Sequence, residues 1–280
     1  MYKITPEEYN VFTRYILEIS GITLDQGKEY LIETRLGPIL DDMGCTTFSE
    51  LYYKCRSDKI GAVEKRIIDA IATNETYFFR DIAPFELLQH KIIPDLIDKR
   101  KALTPPNTPI KIRIWSAAAA TGQEVYSVTI LLKELYLHPD KYHITLIGTD
   151  ISSQAIARAS YGRYNKFEIS RGLSAARIKQ YFNPDGDGWK IKDELRVMAS
   201  FQKINLLKPL IGLGKFDIIL CRNVAIYFTQ KERQRLYNKI ADVLVPDGYL
   251  LIGSTESLTN ETPLFVPQKY LKSVFYQPKQ

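Results

Sequence analysis

Residues 110–124, Ile110-Lys-Ile-Arg-Ile-Trp115-Ser116-Ala-Ala-Ala-Ala-Thr121-Gly122-Gln123-Glu124, decide the fold. The β-branched run Ile110–Trp115 predicts a buried strand, the small residues that follow predict a turn, and a helix is expected over Gln123–Leu137. Ile144–Thr149 and Phe216–Cys221 repeat the pattern of apolar run and turn, and helices are expected over Ser153–Ser160 and Gln230–Leu244. The last of these opens on a capping box, Thr229-Gln230-Lys231-Glu232. Tyr249–Gly253 reads as a fourth strand and Val266–Tyr276 as a terminal hairpin. Strands alternating with helices imply βαβ units and a largely parallel sheet, in which ligands bind outside the carboxyl ends of the strands.

Upstream the period changes from two to 3.6. Thr5-Pro6-Glu7-Glu8 combines an N-cap, a first-turn proline and a capping-box glutamate. Tyr9, Phe12, Tyr15 and Ile16 then fall on one helical face, and Gly21 is a plausible stop. Further helices fit 27–43, 47–56 and 60–72. The expected organisation is therefore a helical domain over 1–72, followed over 73–280 by a linker and an α/β domain.

Charge divides at the same place. Residues 1–75 hold 9 Lys+Arg against 13 Asp+Glu, and the remainder 29 against 19. At 45% hydrophobic and 25% charged, the composition is that of a soluble globular chain. No apolar run approaches a membrane span and the N-terminus has no apolar signal core, so a cytoplasmic protein without membrane insertion is expected. The three cysteines, Cys45, Cys55 and Cys221, are too sparse for a disulfide framework, and three histidines without ligand spacing make no metal site. No nucleic-acid module is visible and no dense basic run.

The turn after the first strand has only one glycine and lacks G-x-G-x-x-G, so a pyrophosphate cradle is not expected. Small side chains there let a ligand approach the backbone. Asp150, at the end of the second strand, is placed to accept both hydroxyls of a ribose. Together these features suggest a nucleoside without a phosphate chain, such as S-adenosylmethionine. Each also has a plainer reading. Glu124 is favoured by a helix dipole, Asp150 can cap the next helix, and Tyr227 after Arg222-Asn223 can simply pack in the core.

Several strings together resemble the chemotaxis receptor methyltransferase family, CheR. They are Thr73-Asn74-Glu75-Thr76-Tyr77-Phe78-Phe79-Arg80, Trp115–Ser127, Gly148-Thr149-Asp150-Ile151, Ile204-Asn205-Leu206-Leu207 and Cys221-Arg222-Asn223-Val224-Ala225-Ile226-Tyr227-Phe228. Pro246–Leu250 and Ser254-Thr255-Glu256-Ser257 fit the family's C-terminal end, and Gly21-Ile-Thr-Leu24 and Glu33-Thr-Arg35-Leu36 its N-terminal domain. The resemblance covers nearly the whole chain in family order. It implies a Rossmann-like S-adenosylmethionine-dependent methyltransferase domain, with a small β-subdomain near 164–200, and a smaller all-helical N-terminal domain for receptor recognition. It implies cofactor contacts from Asn74, Thr76 and Arg80 of the linker, from Glu124 to the methionyl amine side and from Asp150 to the ribose. Asn205 and Leu206 would meet the adenine, and Arg222 and Asn223 would line the methionine end. Tyr227 would stand near the transferable methyl as the catalytic residue. Gln123 stands where many members have glutamate. The family's arginine near the methyl has Arg100 as its nearest candidate here.

The implied activity is protein-glutamate O-methyltransfer to methyl-accepting receptors, giving methyl esters and S-adenosylhomocysteine. A glutamate is ionised at neutral pH, so the attack needs no general base and no metal. The partner implied is the receptors' cytoplasmic helical bundle, met by a monomer whose stretch Lys54, Arg56, Lys59, Lys65 and Arg66 is locally basic. The residues leave open another protein carboxylate as acceptor, or a non-catalytic cofactor-sensing module. Some members grip a receptor C-terminal pentapeptide through a glycine-rich loop and a following arginine. Here Tyr181-Phe182 leads into Asn183-Pro-Asp-Gly-Asp-Gly188-Trp189, a shorter stretch without that arginine, so no tether is expected.

Overall fold

The structure is a computed structural model that describes residues 2–135, 137–138 and 140–279. The chain opens with four helices, α1 (Pro6–Ser20), α2 (Glu29–Met43), α3 (Phe48–Ser57) and α4 (Ala62–Ile71). Thr5 and Glu8 form the reciprocal capping box, which satisfies two backbone donors at the start of α1, and Gly21 ends the helix in the left-handed conformation at φ 77°. The inward stripe of α1 joins Ile32, Leu36, Leu40, Phe48, Leu51 and Ile67 in one closed core.

A strap, residues 73–82, leads to a long helical run that the sequence pattern did not reveal. It comprises α5 (Ala83–Leu87), a π turn over Leu88–Ile92 and α6 (Ile93–Leu103). Pro94 supplies no amide N–H, so the α-helical ladder loses a bond there, and the widened turn lies immediately before it.

The α/β domain then follows as β1 (Ile110–Ala117), α7 (Gln123–Glu134), β2 (Tyr142–Asp150) and α8 (Ser153–Tyr161). Helix α7 closes at Glu134, and the expected extension to Leu137 passes through residue 136, outside the described residues. Next come β3 (Arg163–Asn165), α9 (Lys166–Ser170), α10 (Ala175–Tyr181), β4 (Phe182–Asp185), β5 (Gly188–Ile191), α11 (Asp193–Arg196) and β6 (Ala199–Lys203). The last elements are β7 (Phe216–Cys221), a 3₁₀ turn over Ala225–Tyr227, α12 (Gln230–Val243), β8 (Leu244–Ile252), β9 (Phe265–Tyr270) and β10 (Ser273–Pro278).

Seven strands form one sheet in the order β6-β2-β1-β7-β8-β10-β9, the first five parallel and the β9–β10 hairpin antiparallel. β3, β5 and β4 make a separate antiparallel sheet. The chain runs from β1 to β2 on one side and later returns to β7 on the other, so the topological switch lies between β1 and β7. Every residue of β7 is buried. Ile218 and Leu220 face the layer containing α5, α6 and α7, while Ile219 and Cys221 face the layer containing α12. A central parallel strand covered on both faces has no polar face, hence the near-continuous apolar sequence.

The strap is pinned to this body through two phenylalanines. Phe78 packs edge-on against Tyr164 and Phe182, with ring centroids 5.0 and 5.5 Å away, and Phe79 packs against Phe85 at 5.1 Å. Gly172, between α9 and α10, lies under the strap at φ 91°; a Cβ there would sit 1.8 Å from the Phe78 carbonyl oxygen. Gly172→Ala is expected to cost about 2–4 kcal/mol, because neither the left-handed backbone nor the adjacent carbonyl accepts a methyl group. Urea unfolding measures this, and a loss under about 1 kcal/mol contradicts the close approach.

Candidate active site

The carboxyl ends of β6, β2, β1 and β7 open into a cleft that communicates with solvent. Its back wall is Ala118–Ala120 after β1, where Ala118 and Ala120 take positive φ (63° and 48°) and present only methyl groups. Its front is the strap, through Thr73, Asn74, Glu75, Thr76 and Arg80. Ser20, Ile22 and Ala72 of the helical domain close one end. The ten residues singled out from sequence, Asn74, Thr76, Arg80, Glu124, Asp150, Asn205, Leu206, Arg222, Asn223 and Tyr227, all line this cleft.

Asp150 ends β2 as a buried carboxylate. Oδ2 accepts the amide of Ala120 and Oδ1 that of Ser152, both at 2.9 Å, so the group is oriented by backbone and retains lone pairs toward the cleft. Burial pushes its carboxyl above the ordinary range, against the pull of those amides, and the nearby Asp69 adds to the rise. Asp69, on α4, accepts the Ser152 hydroxyl at 2.7 Å, which ties the helical domain to the same turn.

At the opposite side, Arg222 follows β7 with its side chain 1% exposed. It pairs with Glu124 at 2.7 Å and Asp81 at 3.0 Å, and donates to the Arg80 carbonyl at 2.7 Å. Glu124 also accepts the Ser116 hydroxyl at 2.8 Å. The Arg222 Nε is buried without a partner among the described residues. A carboxylate and a guanidinium side by side match the two charges of an amino-acid zwitterion, just as Asp150 matches a diol. Leu206 and Ile151 supply the apolar surface that a purine face requires.

Asn205 is committed to scaffolding: its Nδ2 donates to the Ile19 carbonyl and its Oδ1 accepts the Leu207 amide, each at 2.9 Å. Leu206 is buried, and its carbonyl accepts Lys239 Nζ from α12. The Asn223 turn is held by Glu256, whose Oε2 accepts the amides of Asn223 and Gly253 at 2.8 and 2.7 Å. Glu256 was visible in the Ser254–Ser257 string, but no spacing connects it to a residue 33 positions away. Ser20 and Ile22 reach the cleft from the helical domain, and no spacing in the sequence connects them to it.

Arg100 is the expectation that the geometry overturns. It lies on α6, outside the cleft, in ion pairs with Asp217 and Asp247 at 2.7 Å each. Asp217 opens β7, so this triad sits at the amino edge of the sheet, and the arginines that line the cleft are Arg80 and Arg222.

The family described as "CheR methyltransferase, SAM binding domain" matches residues 74–272, and "CheR methyltransferase, all-alpha domain" matches 7–72. Chemotaxis protein methyltransferase Cher2 of Pseudomonas putida is 33% identical, covering 97% of this chain and 98% of its own. Chemotaxis protein methyltransferase 1 of Pseudomonas aeruginosa is 35% identical over 90% of this chain and 91% of its own. The chemotaxis protein methyltransferase of Vibrio anguillarum is 35% identical over 99% and 98%.

Arg100→Met is expected to lower stability by about 2–3 kcal/mol, since it strands the buried Asp217 carboxylate. The same variant should leave S-adenosylhomocysteine affinity unchanged. Calorimetry on the folded variant checks the second point, and a tenfold weaker complex would return Arg100 to the site.

Proposed function

The chain belongs to the CheR methyltransferase family, and from that membership we propose how its cleft works. The protein is an S-adenosylmethionine-dependent methyltransferase of chemoreceptors. In our reading the acceptors are receptor glutamates, converted to methyl esters. The observation that carries the reading is the convergence of the Glu124–Arg222 pair, Asp150 and the alanine wall on one cleft at the switch point.

When bound, S-adenosylmethionine supplies an electrophilic methyl on a sulfonium. The residues of the chain position it. Asp150 accepts the ribose hydroxyls, and Glu124 and Arg222 hold the ammonium and carboxylate of the methionyl end. Ile151 and Leu206 flank the base. Asn74, Thr76 and Arg80 close the strap over the ligand, and Asn223 and Tyr227 border the methyl end. The acceptor carboxylate arrives ionised, so Tyr227 orients it and abstracts no proton. Such positioning, with water excluded by a docked receptor, supplies roughly 7–11 kcal/mol of the barrier reduction.

Receptor contact falls to the helical domain and the cleft mouth, with the enzyme acting as a monomer beside the receptors' cytoplasmic helical bundle. Among the described residues no helix is long and apolar enough to cross a membrane. Within the basic stretch, Arg56 and Arg66 are paired with Glu18 and Asp42, which leaves exposed Lys54, Lys59 and Lys65 as the surface charges to meet an acidic receptor face. We read the β4–β5 hairpin as untethered. Its aspartates, Asp185 and Asp187, occupy the guanidinium of Arg163, so that cation is engaged within the chain.

Incubation with methyl-labelled cofactor and receptor-bearing membranes should give alkali-labile volatile label on the receptor, undiminished by deletion of the receptor tail. Binding without transfer to receptor would contradict the enzymatic reading, and loss on tail deletion would contradict the untethered one. Asp150 also sets a pH dependence. Its ionised form accepts the ribose hydroxyls, so affinity for S-adenosylhomocysteine should be full above its raised pKa. It should weaken as pH falls through that value, in a window above the usual aspartate pKa of about 3.9. Asp150→Asn should abolish that dependence and weaken binding roughly 10- to 100-fold, the loss of a charge-assisted contact. A dissociation constant that stays flat with pH in the wild type would remove Asp150 from the ribose site.

A further inference from the structure

We infer that Thr23, in the helical domain, is a positioning residue for methyl transfer, fixing Tyr227 from across the cleft through the tyrosine's own carbonyl. The inference rests on the reading of Tyr227 given above. Both donors of Thr23, its amide and its hydroxyl, reach the Tyr227 carbonyl oxygen at 2.9 Å. Tyr227 belongs to a 3₁₀ turn of three residues, too short to be stiff by its own hydrogen bonds. The start of that segment is held within the α/β domain, where Glu256 binds the Asn223 amide. At Tyr227 itself, the hydrogen-bonded anchor from outside the segment, among the described residues, is Thr23.

The anchor is itself fixed. Gly21 turns the chain out of α1 in the left-handed conformation, and a Cβ there would lie 2.9 Å from the Leu207 side chain. Two residues earlier, the Ile19 carbonyl accepts Asn205 Nδ2 at 2.9 Å. The loop carrying Thr23 is therefore clamped to the strand-end loop that lines the cleft, and its two hydrogen bonds hold the tyrosine backbone relative to the same cleft. A helical domain that serves only for recognition would have no need of a bifurcated contact on a residue beside the reacting atoms. Here the domain that meets the receptor also sets the tyrosine.

The test compares Thr23→Val, which keeps shape and backbone N–H but loses the hydroxyl, with Thr23→Ser, which keeps the hydroxyl. Thr23→Val should lower kcat roughly three- to tenfold, as expected for one hydrogen bond of positioning, with S-adenosylhomocysteine affinity changed less than about twofold. Thr23→Ser should restore kcat to near wild type. In a Tyr227→Phe background the Thr23→Val effect should largely vanish, because the oriented hydroxyl is already gone. Parallel loss of affinity and kcat, or full additivity with Tyr227→Phe, would reduce Thr23 to scaffolding and overturn the inference. If Tyr227→Phe lowers kcat while Thr23→Val leaves it intact, only this inference falls. If Tyr227→Phe is itself silent, the role of the tyrosine falls and this inference with it.

Discussion

The buried guanidinium of Arg222 is the interaction on which the site depends. It follows the central strand β7 and holds two other segments through three acceptors: Glu124 at the start of α7, and, in the strap, the Arg80 carbonyl and the Asp81 carboxylate. Taking an arginine from water to 1% exposure is costly, and two carboxylates and a carbonyl on its two terminal nitrogens offset that cost. The strap has no secondary structure to hold it across an open cleft. With Phe78 and Phe79 buried beneath it and Arg222 drawing its backbone inward, it becomes a fixed wall.

From that anchor the division of labour follows. The parallel sheet supplies rigidity, because β7 and its neighbours are packed on both faces and their ends are fixed in depth and spacing. The loops supply chemistry, each presenting one or two groups over the carboxyl edge. The helical domain is no appendage to this arrangement. Asp69 grips Ser152 beside the buried aspartate, Ile19 receives Asn205, and Thr23 meets Tyr227, so α1, the loop after it and α4 reach three of the loops that form the cleft.

What the sequence disclosed and what it hid follow from the range of the interactions concerned. Strands and helices are written in local period, so β1, β2, β7, α7 and α12 could be read within a few residues of their ends. The long helical run 83–103 was missed because Pro94 interrupts its ladder and its register shifts through a π turn. β6 was hidden at a sheet edge as Ala199-Ser-Phe-Gln-Lys203, too polar to mark a strand. Motif strings led to the cleft because each lies wholly on one loop. Arg100 was misjudged because a charged residue near an expected motif says nothing of which end of the sheet it occupies, and its partners Asp217 and Asp247 lie over a hundred residues away. The contacts of Thr23 and Glu256 are long-range in the same sense, and no periodicity records them.

The central claim is that both domains and the strap between them close on one cofactor. Hydrogen exchange with and without S-adenosylhomocysteine tests it most directly. Binding should slow exchange in the Ala118–Gly122 turn, in strap residues 73–82 and in the Gly21–Leu24 loop of the helical domain together. Protection confined to the α/β domain, with the strap and the Gly21–Leu24 loop exchanging as freely as before, would contradict it.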